Sequence, residues 1–196
     1  MHEKSVSELK KDIVFETELQ GSHLIFHSTW GLFSPREVDE GTRLLLQHAE
    51  FPPKGKILDI GCGYGAIGIT LAKGAPERKV HMVDTDFTAV EYAKKNAKLN
   101  GVDGDSEVYL SNGFSNVPEN IKFDAIVSNL PAKVGRELLW ILLNDAKARL
   151  SEAGVLYVVT INGLREFIKR NFVEVFGNYD KVKQGAHYTI GKAIKN

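Results

Sequence analysis

Apolar positions follow two different periods along the chain from Lys56 onward. Short apolar runs, typical of buried strands, alternate with segments whose apolar residues recur every three or four positions, as they do along a helix. The predicted strands span residues 56–60, 79–83, 107–110, 123–128 and 155–161, and the predicted helices span 66–73, 87–99, 135–150 and 164–176. This alternation predicts an α/β fold with a mostly parallel sheet that is covered by helices on both faces.

Two β-hairpins are predicted outside this alternation. Near the C-terminus, the runs 179–183 and 187–193 are joined by Gln184-Gly185-Ala186, and near the N-terminus two alternating runs flank Gln20-Gly21-Ser22. A helix over 38–49 follows the first hairpin and ends before a pair of prolines. We expect one domain over residues 1–196, in which 1–50 form a hairpin-and-helix extension and 51–196 form the core.

Composition narrows the class of protein without naming a partner. The chain has 196 residues, 43% of them hydrophobic and 26% charged, with a mean hydropathy of −0.18, which is enough apolar material for a sizeable core. The 25 Lys and Arg balance the 25 Asp and Glu, so a basic surface for nucleic acid would have to be local. One cysteine excludes an internal disulfide. Because we find no secretory leader and no apolar run of about 18 residues, we predict a cytoplasmic protein without a membrane span.

A glycine-rich loop carries the strongest chemical signal. The strand at 56–60 runs into Gly61, Gly63, Gly65 and Gly68 before the next helix begins. Glycines tolerate positive φ and let a ligand approach bare N–H groups at a helix N-terminus, beside the carboxyl ends of parallel strands. A tight turn alone would need fewer glycines, so we predict a ligand-binding loop.

Two cofactors compete for this loop. Residues 63–68 fit the G-x-G-x-x-G pattern of dinucleotide-binding proteins, and Asp84 lies at about the right distance for a ribose contact. However, Asp59 ends the preceding strand, where its charge would oppose a pyrophosphate. S-adenosylmethionine carries an ammonium and a sulfonium but no phosphate, so it fits an acidic strand end better. No Walker lysine follows the glycines, which excludes a P-loop.

The pattern Asp59-x-Gly61-x-Gly63-x-Gly65 resembles motif I of the Rossmann-like class I methyltransferases. This resemblance implies a seven-stranded, mostly parallel sheet with an antiparallel last strand, and S-adenosylmethionine as the cofactor. Cys62, inside the loop, has no His beside it in sequence that would indicate an activated nucleophile, so we expect it to pack near the cofactor as a small side chain.

Two further segments resemble cofactor-binding positions of the same class. Asp84, followed by Thr85, occupies the acidic end of the second core strand, where the family's carboxylate binds both ribose hydroxyls. Asp86 is instead expected to cap the following helix. Asn112-Gly113 falls where the family places a polar side chain against the adenine amino group, and an amide can both donate and accept there.

The tetrapeptide Asn129-Leu130-Pro131-Ala132 is similar to the N-P-P-[FYI] motif of methyltransferases that act on planar amino groups. The resemblance implies that the Asn129 side-chain oxygen and the Leu130 carbonyl accept hydrogen bonds from the target amino group, while Pro131 keeps Leu130 extended. Ala132 stands where many relatives have an aromatic residue. The candidates for a replacement aromatic face are Trp30, Phe33 and Phe114. The alternative for Asn129-Leu130-Pro131 is that it simply terminates a strand.

Residues 28–45 resemble the segment that precedes motif I in the methyltransferase small-domain family. That family includes ribosomal RNA methyltransferases that modify the 2-amino group of guanine, and uncharacterised single-domain archaeal members. The resemblance implies that Phe33 and Thr42 line the methionine end of the cofactor and that Asp39 orients the segment. Core packing is the alternative for Phe33. The resemblance extends from about Ile13 to the C-terminus, and we expect the separate N-terminal domain of the bacterial ribosomal members to be absent.

These observations predict an S-adenosylmethionine-dependent methyltransferase that acts on an exocyclic or amide nitrogen, foremost the guanine 2-amino group in ribosomal RNA. The alternatives are an NAD(P)-dependent oxidoreductase, a non-catalytic S-adenosylmethionine-binding partner, and a methyltransferase of protein glutamine or of a small molecule. His23 and His27 lie on one face of a predicted strand without a Cys or carboxylate to complete a site, so we predict no metal. The sequence leaves the oligomeric state open.

Overall fold

The computed structural model describes residues 12–131 and 135–196. Its strands are β1 (Ile13–Leu19), β2 (Ser22–Ser28), β3 (Lys54–Ile60), β4 (Glu77–Asp84), β5 (Ser106–Leu110), β6 (Phe123–Asn129), β7 (Leu150–Ile161), β8 (Asp180–Gln184) and β9 (Tyr188–Ile194). Its helices are α1 (Glu40–His48), α2 (Ala66–Gly74), α3 (Phe87–Leu99), α4 (Arg136–Arg149) and α5 (Arg165–Phe176), the last preceded by a short 3-10 turn (Asn162–Leu164).

Seven strands form one sheet in the order β5-β4-β3-β6-β7-β9-β8. Strands β3 to β7 pair in parallel, whereas β9 runs antiparallel to both β7 and β8. The predicted α/β class, the antiparallel last strand and both hairpins are thereby confirmed. Strands β1 and β2 form a separate two-stranded sheet.

The two faces of the large sheet are buried in two different cores, because successive strand residues point to opposite sides. Ile57 belongs to the core that also holds residues of α1, α2 and α3 and of the N-terminal hairpin, while its neighbour Leu58 belongs to the core beneath α4 and α5. Burial on both faces explains why the central strands are apolar runs rather than alternating patterns.

The observed element boundaries lie within two residues of the predicted ones, except at the start of β7, which differs by five. Strand β7 begins at Leu150 rather than at residue 155, although residues 151–154 are not an apolar run. Leu150 pairs with Phe123, and the backbone of Ala153 and Gly154 bonds to the backbone of Lys195. Helix α1 begins at Glu40 rather than at residue 38. Asp39 is its N-cap, with extended backbone angles and a side chain that accepts from the N–H of Thr42.

The N-terminal hairpin is attached to the core by two asparagines of α3. Asn96 Oδ1 accepts from the His27 N–H and its Nδ2 donates to the His27 carbonyl, both at 2.8 Å. Asn100 repeats the arrangement with Ile25, at 3.1 Å and 2.9 Å. The two asparagines lie four residues apart on α3, and their partners lie two residues apart on β2. These two distances match, so the asparagine amides bond to the edge of β2 as a third strand would.

We expect Asn96→Ala to destabilise the chain strongly. Asn96 is fully buried, and its Nδ2 donates also to the carbonyl of Tyr64 in the glycine loop. The substitution leaves several backbone groups without partners, so the free energy of unfolding should fall by about 2–4 kcal/mol. Urea unfolding followed by circular dichroism measures this. Asn144→Ala, which removes an exposed amide bonded only to its own helix, is the control with an expected change below about 0.5 kcal/mol. Equal losses in both variants would contradict the assignment.

Candidate active site

The predicted site residues lie at one edge of the large sheet. Strands β5, β4, β3 and β6 are consecutive neighbours and run in parallel, so their carboxyl ends meet. These ends carry Asn112, Asp84, Gly61 and Asn129 in that spatial order. Ligands of open α/β sheets bind at such an edge, and here the sequence-predicted residues are brought together.

The glycine loop turns tightly from β3 into α2. Gly65 has a φ of +96° as the N-cap of α2, a conformation that side-chain-bearing residues rarely adopt. A Cβ on Gly68 would lie 2.4 Å from the Met82 side chain, so this glycine allows the helix to approach the sheet. At Gly61 and Gly63 an added Cβ would meet no atom within 4 Å. The first half of the loop therefore faces open space.

Several N–H groups of the loop are bonded to acceptors of the protein itself. The bonds run from Gly61 and Cys62 to the Val83 carbonyl, from Gly63 to Asp84 Oδ2, from Gly65 to the Cys62 carbonyl, and from Gly68 to Asp59 Oδ2. Two of these acceptors are carboxylates. A loop whose donors are used in this way offers fewer N–H groups to a phosphate and places two carboxyl groups beside its backbone.

Asp59 is fully buried at the end of β3. Its Oδ2 accepts from the Gly68 N–H at 3.0 Å, whereas its Oδ1 has no hydrogen-bond partner among the described residues. Burial, reinforced by the charge of Asp84, raises the pKa of Asp59 from 3.8 to about 7. A carboxyl group with this pKa would be stabilised as a carboxylate by a cation bound nearby.

Asp84 is half-buried and connects the loop to the next turn. Its Oδ2 accepts from Gly63 at 2.8 Å and its Oδ1 from the N–H of Asp86 at 2.9 Å. Each oxygen can accept a second hydrogen bond, so the carboxylate remains able to bind hydroxyls. Asp86 caps α3 by accepting from the Thr88 N–H, which confirms the role predicted for it. Thr85 is exposed beside it.

The turn after β5 presents an exposed asparagine at the same edge. The backbone of Asn112 exchanges hydrogen bonds with Ser115, which closes the turn, and Gly113 follows with a φ of +55°. The Asn112 side chain itself is exposed. The structure therefore places an exposed amide two residues beyond Leu110, which pairs with Asp84 on the neighbouring strand.

Asn129 is bonded to the segment that precedes the glycine loop. Its Nδ2 donates to Asp39 Oδ2 at 2.8 Å and to Thr42 Oγ1 at 3.0 Å. Because a carboxylate only accepts, the amide nitrogen must face Asp39, and the Asn129 carbonyl oxygen faces the opposite way. The predicted residues Thr42 and Asn129 thus lie in direct contact.

The rest of the motif after β6 is only partly described. Leu130 is buried, and its N–H donates to the Val159 carbonyl at 3.0 Å. This bond holds the chain in line with β7 beyond the last residue of β6. Pro131 is exposed, and Ala132 lies outside the described residues.

The three candidate aromatic faces differ in accessibility. Phe114 is buried in the core beneath α4. Phe33 is 67% exposed, so core packing of Phe33 is wrong, although Leu45 and Leu46 nearby are buried. Trp30 is 38% exposed, and the guanidinium carbon of Arg36 lies 4.4 Å from its ring centroid. An exposed aromatic surface therefore exists only on the loop before α1 among these three.

Cys62 is a free, buried cysteine in the glycine loop. Burial raises the pKa of the Cys62 thiol well above its usual value, so the thiol stays protonated at neutral pH. Within residues 12–131 and 135–196, no group of three or more His, Cys, Asp or Glu side chains could hold a metal ion.

No helix in the described part of the chain combines the length and apolarity that a bilayer span requires.

Comparison with known proteins identifies the family. The model of the methyltransferase small domain matches residues 23–192. The chain belongs to the methyltransferase small domain family. The matched range of this small domain contains the glycine loop, both acidic strand ends, Asn129 and the segment around Asp39.

Relatives of this small domain protein include both short and long chains. Uncharacterized protein YbxB of Bacillus subtilis is 36% identical over 180 residues, which cover 90% of this chain and 89% of that one. Ribosomal RNA small subunit methyltransferase C of Haemophilus influenzae is 36% identical over 180 residues, 89% of this chain and 52% of the relative. The chain thus spans about half the length of the curated ribosomal RNA methyltransferases that it matches.

Among solved structures, the chain is similar to the T. thermophilus 16S rRNA N2 G1207 methyltransferase RsmC in complex with AdoMet and guanosine. The TM-score is 0.84 at 28% identity, over 93% of this chain and 50% of that one. This likeness spans the large sheet and agrees with the class I methyltransferase fold predicted from motif I.

We expect the titration of Asp59 to make the free energy of unfolding depend on pH. The folded state retains a proton that the unfolded state releases, so this group lowers the free energy of unfolding by about 1.4 kcal/mol per pH unit as pH rises from about 4 to about 7, with no change above that. Asp59→Asn keeps an oxygen for the Gly68 N–H and does not titrate. The stability of the variant minus that of the wild type should therefore rise over this window, as measured by urea unfolding at several pH values. A constant difference would contradict the assignment.

Proposed function

We propose that this protein transfers a methyl group from S-adenosylmethionine to an exocyclic amino group, foremost the 2-amino group of guanine in ribosomal RNA. The observation that carries the proposal is the geometry of Asn129. Its amide nitrogen is held by Asp39 and Thr42, and its carbonyl oxygen is directed away from them at the carboxyl edge of the sheet. An amino group is the natural donor to such an oxygen.

The residues of the loop fit S-adenosylmethionine better than a dinucleotide. The N–H groups of Gly61, Cys62, Gly63, Gly65 and Gly68 are bonded within the protein and so are not offered to a pyrophosphate. The buried Asp59 has an oxygen without a partner among the described residues. When bound, S-adenosylmethionine supplies a methyl group on a positively charged sulfur. Both the acidic strand ends and the absence of free N–H donors at these positions favour a cationic ligand without phosphate.

Each predicted cofactor-binding residue has a defined place in this proposal. Asp84 would bind the ribose hydroxyls with its remaining acceptor capacity, and the open space above Gly61 and Gly63 would admit the cofactor against the backbone. The residues that would complete the site are Phe33 and Thr42 at the methionine end, Cys62 and Gly65 in the loop, and Thr85, Asn112 and Gly113 at the adenine end.

The protein contributes orientation rather than strong acid–base chemistry. The Asn129 oxygen and the Leu130 carbonyl would accept from the two N–H bonds of the target amino group, which directs its lone pair away from the protein acceptors and toward the methyl donor. Once alkylated, the exocyclic nitrogen is cationic and strongly acidic and loses one proton to water, so positioning of the nitrogen is the main requirement. Pro131 would restrict Leu130 to the extended backbone that this needs.

Two observations favour guanine in ribosomal RNA as the substrate. They are the substrates of related proteins and an exposed aromatic surface of this chain. The relatives from Haemophilus influenzae and Shewanella amazonensis are a small-subunit and a large-subunit ribosomal RNA methyltransferase, and the T. thermophilus structure holds guanosine. Trp30, stacked with Arg36, and the exposed Phe33 form an aromatic and basic surface before α1, suited to unstacked bases. Such a base would have to leave its helix to reach Asn129. An enzyme of ribosomal RNA would act in the cytoplasm, the location predicted from the sequence.

We expect the purified protein to bind S-adenosylmethionine with micromolar affinity and to bind neither NAD nor NADP in calorimetric titration. Asp84→Ala should weaken binding of the methyl donor by about 10- to 100-fold because the ribose acceptor is lost. Asp86→Ser is the matched control. It removes a nearby charge but keeps an N-cap acceptor for α3, so affinity should stay within about threefold. Binding of a nicotinamide dinucleotide alone would overturn the proposed function.

We expect Asn129→Ala to reduce methyl transfer by at least about 100-fold while the affinity for S-adenosylmethionine changes little, since the side chain holds the target and not the donor. The assay combines a radiolabelled methyl donor with unmodified 16S and 23S ribosomal RNA transcripts, followed by mass spectrometry for N2-methylguanosine. Asn144→Ala, on the exposed face of α4, serves as control and should retain full activity. Full activity of Asn129→Ala would remove the role of Asn129, and transfer only to a glutamine peptide would replace RNA as the substrate.

A further inference from the structure

A hydrogen-bond chain links Asn129 to the last strand of the sheet. Tyr188, the first residue of β9, donates its hydroxyl proton to Asp39 Oδ1 at 3.0 Å. Asp39 Oδ2 accepts from Asn129 Nδ2 at 2.8 Å and from the Thr42 N–H at 3.0 Å. The Asp39 carboxylate is thus held from both sides by groups that lie far apart along the chain.

We propose that Asp39 and Tyr188 are positioning residues for methyl transfer, which orient the Asn129 amide so that its oxygen faces the target amino group. This inference rests on the proposed function of the site and extends it by residues that touch neither cofactor nor substrate.

The direction of the amide depends on the fixed place of the Asp39 carboxylate. An asparagine side chain can rotate by half a turn and exchange its oxygen and nitrogen with little change in shape. Opposite Asp39 only the nitrogen can form a favourable contact, because two oxygens without a proton between them would repel each other. Charge-assisted hydrogen bonds of this kind are also stronger than neutral ones.

Tyr188 determines which way the carboxylate itself points. Without a donor on Oδ1, Asp39 would be bonded through Oδ2 alone and could turn about its side-chain torsion. Burial, together with the charges of Asp39 and Glu40, raises the pKa of Tyr188 to about 12, so the phenol keeps the proton that it donates.

The backbone around Asp39 is built to admit the tyrosine ring. A Cβ on Gly41 would lie 2.7 Å from Tyr188 Cδ1 and 3.0 Å from Asp39 Oδ2. Any side chain at position 41 would therefore push the ring or the carboxylate away. The glycine thus allows the close contact between α1 and β9 on which the hydrogen-bond chain depends.

Two substitutions separate positioning from simple stabilisation. Tyr188→Phe removes one hydroxyl and keeps the ring. Asp39→Ser keeps an N-cap acceptor for Thr42 but is too short to hold both Asn129 and Tyr188. We expect kcat to fall about tenfold in the first variant and further in the second, with little change in the affinity for S-adenosylmethionine. Tyr157→Phe is the matched control, since its hydroxyl also makes one bond of 3.0 Å, to the Glu50 carbonyl, away from Asn129. It should retain wild-type kcat.

A double variant tests whether Tyr188 acts through Asn129. Adding Tyr188→Phe to Asn129→Ala should cause no further loss of kcat, because the group that the tyrosine orients is already gone. Independent, multiplied losses would overturn the proposal, as would wild-type kcat in Tyr188→Phe.

A spectroscopic measurement keeps the proposal testable without a substrate. The side-chain amide signals of Asn129 in a nitrogen-15 spectrum, assigned by their loss in Asn129→Ala, should shift and exchange faster with solvent in Tyr188→Phe and Asp39→Ser, but not in Tyr157→Phe. Unchanged Asn129 signals in both variants would overturn the positioning role even if methyl transfer is observed. Shifted signals in a chain that transfers no methyl group would instead leave the positioning intact and reject the proposed function.

Discussion

Parallel pairing of β3 with β4 and β6 is the constraint on which the rest of the molecule depends. Parallel strands need crossover connections. Helices α2, α3 and α4 connect β3 to β4, β4 to β5 and β6 to β7, and they cover both faces of the sheet. Polar side chains from several strands meet at the edge where the strands end. Asp84, Asn112 and Asn129 owe their proximity to this arrangement.

The electrostatics of that edge distinguish it from a phosphate-binding site built on a similar glycine pattern. Backbone N–H groups at a helix N-terminus ordinarily attract anions. Here Asp59 and Asp84 accept from two of these groups, and other N–H groups of the loop bond to carbonyls. The same backbone shape therefore places carboxyl groups beside N–H groups that could otherwise bind a phosphate, and a ligand is selected by charge as well as by fit.

Elements outside the large sheet pack against the glycine loop and support the site. The N-terminal hairpin is joined to α3 by Asn96, which also bonds to Tyr64 inside the loop. The Tyr64 ring packs edge-on against Phe15 and Phe26 of the hairpin, with centroids 5.8 Å and 5.5 Å away. The Tyr64 hydroxyl donates to the carbonyl of Glu37 at 3.2 Å. The hairpin and the segment before α1 thus restrain the loop to one conformation.

The sequence by itself determined the fold class, the strand and helix order and the glycine loop, because hydrophobic periods and glycine spacing are local properties of the chain. Its resemblance to a methyltransferase family was also sufficient to name Asn129 and Thr42. Local patterns did not predict the polar start of β7, whose pairing with β6 is decided by distant partners. They also left Tyr188 unnoticed, since its bond to Asp39 joins residues 149 positions apart. Only the tertiary structure could decide the orientation of the Asn129 amide, because that orientation depends on which acceptors the folded chain places against its nitrogen.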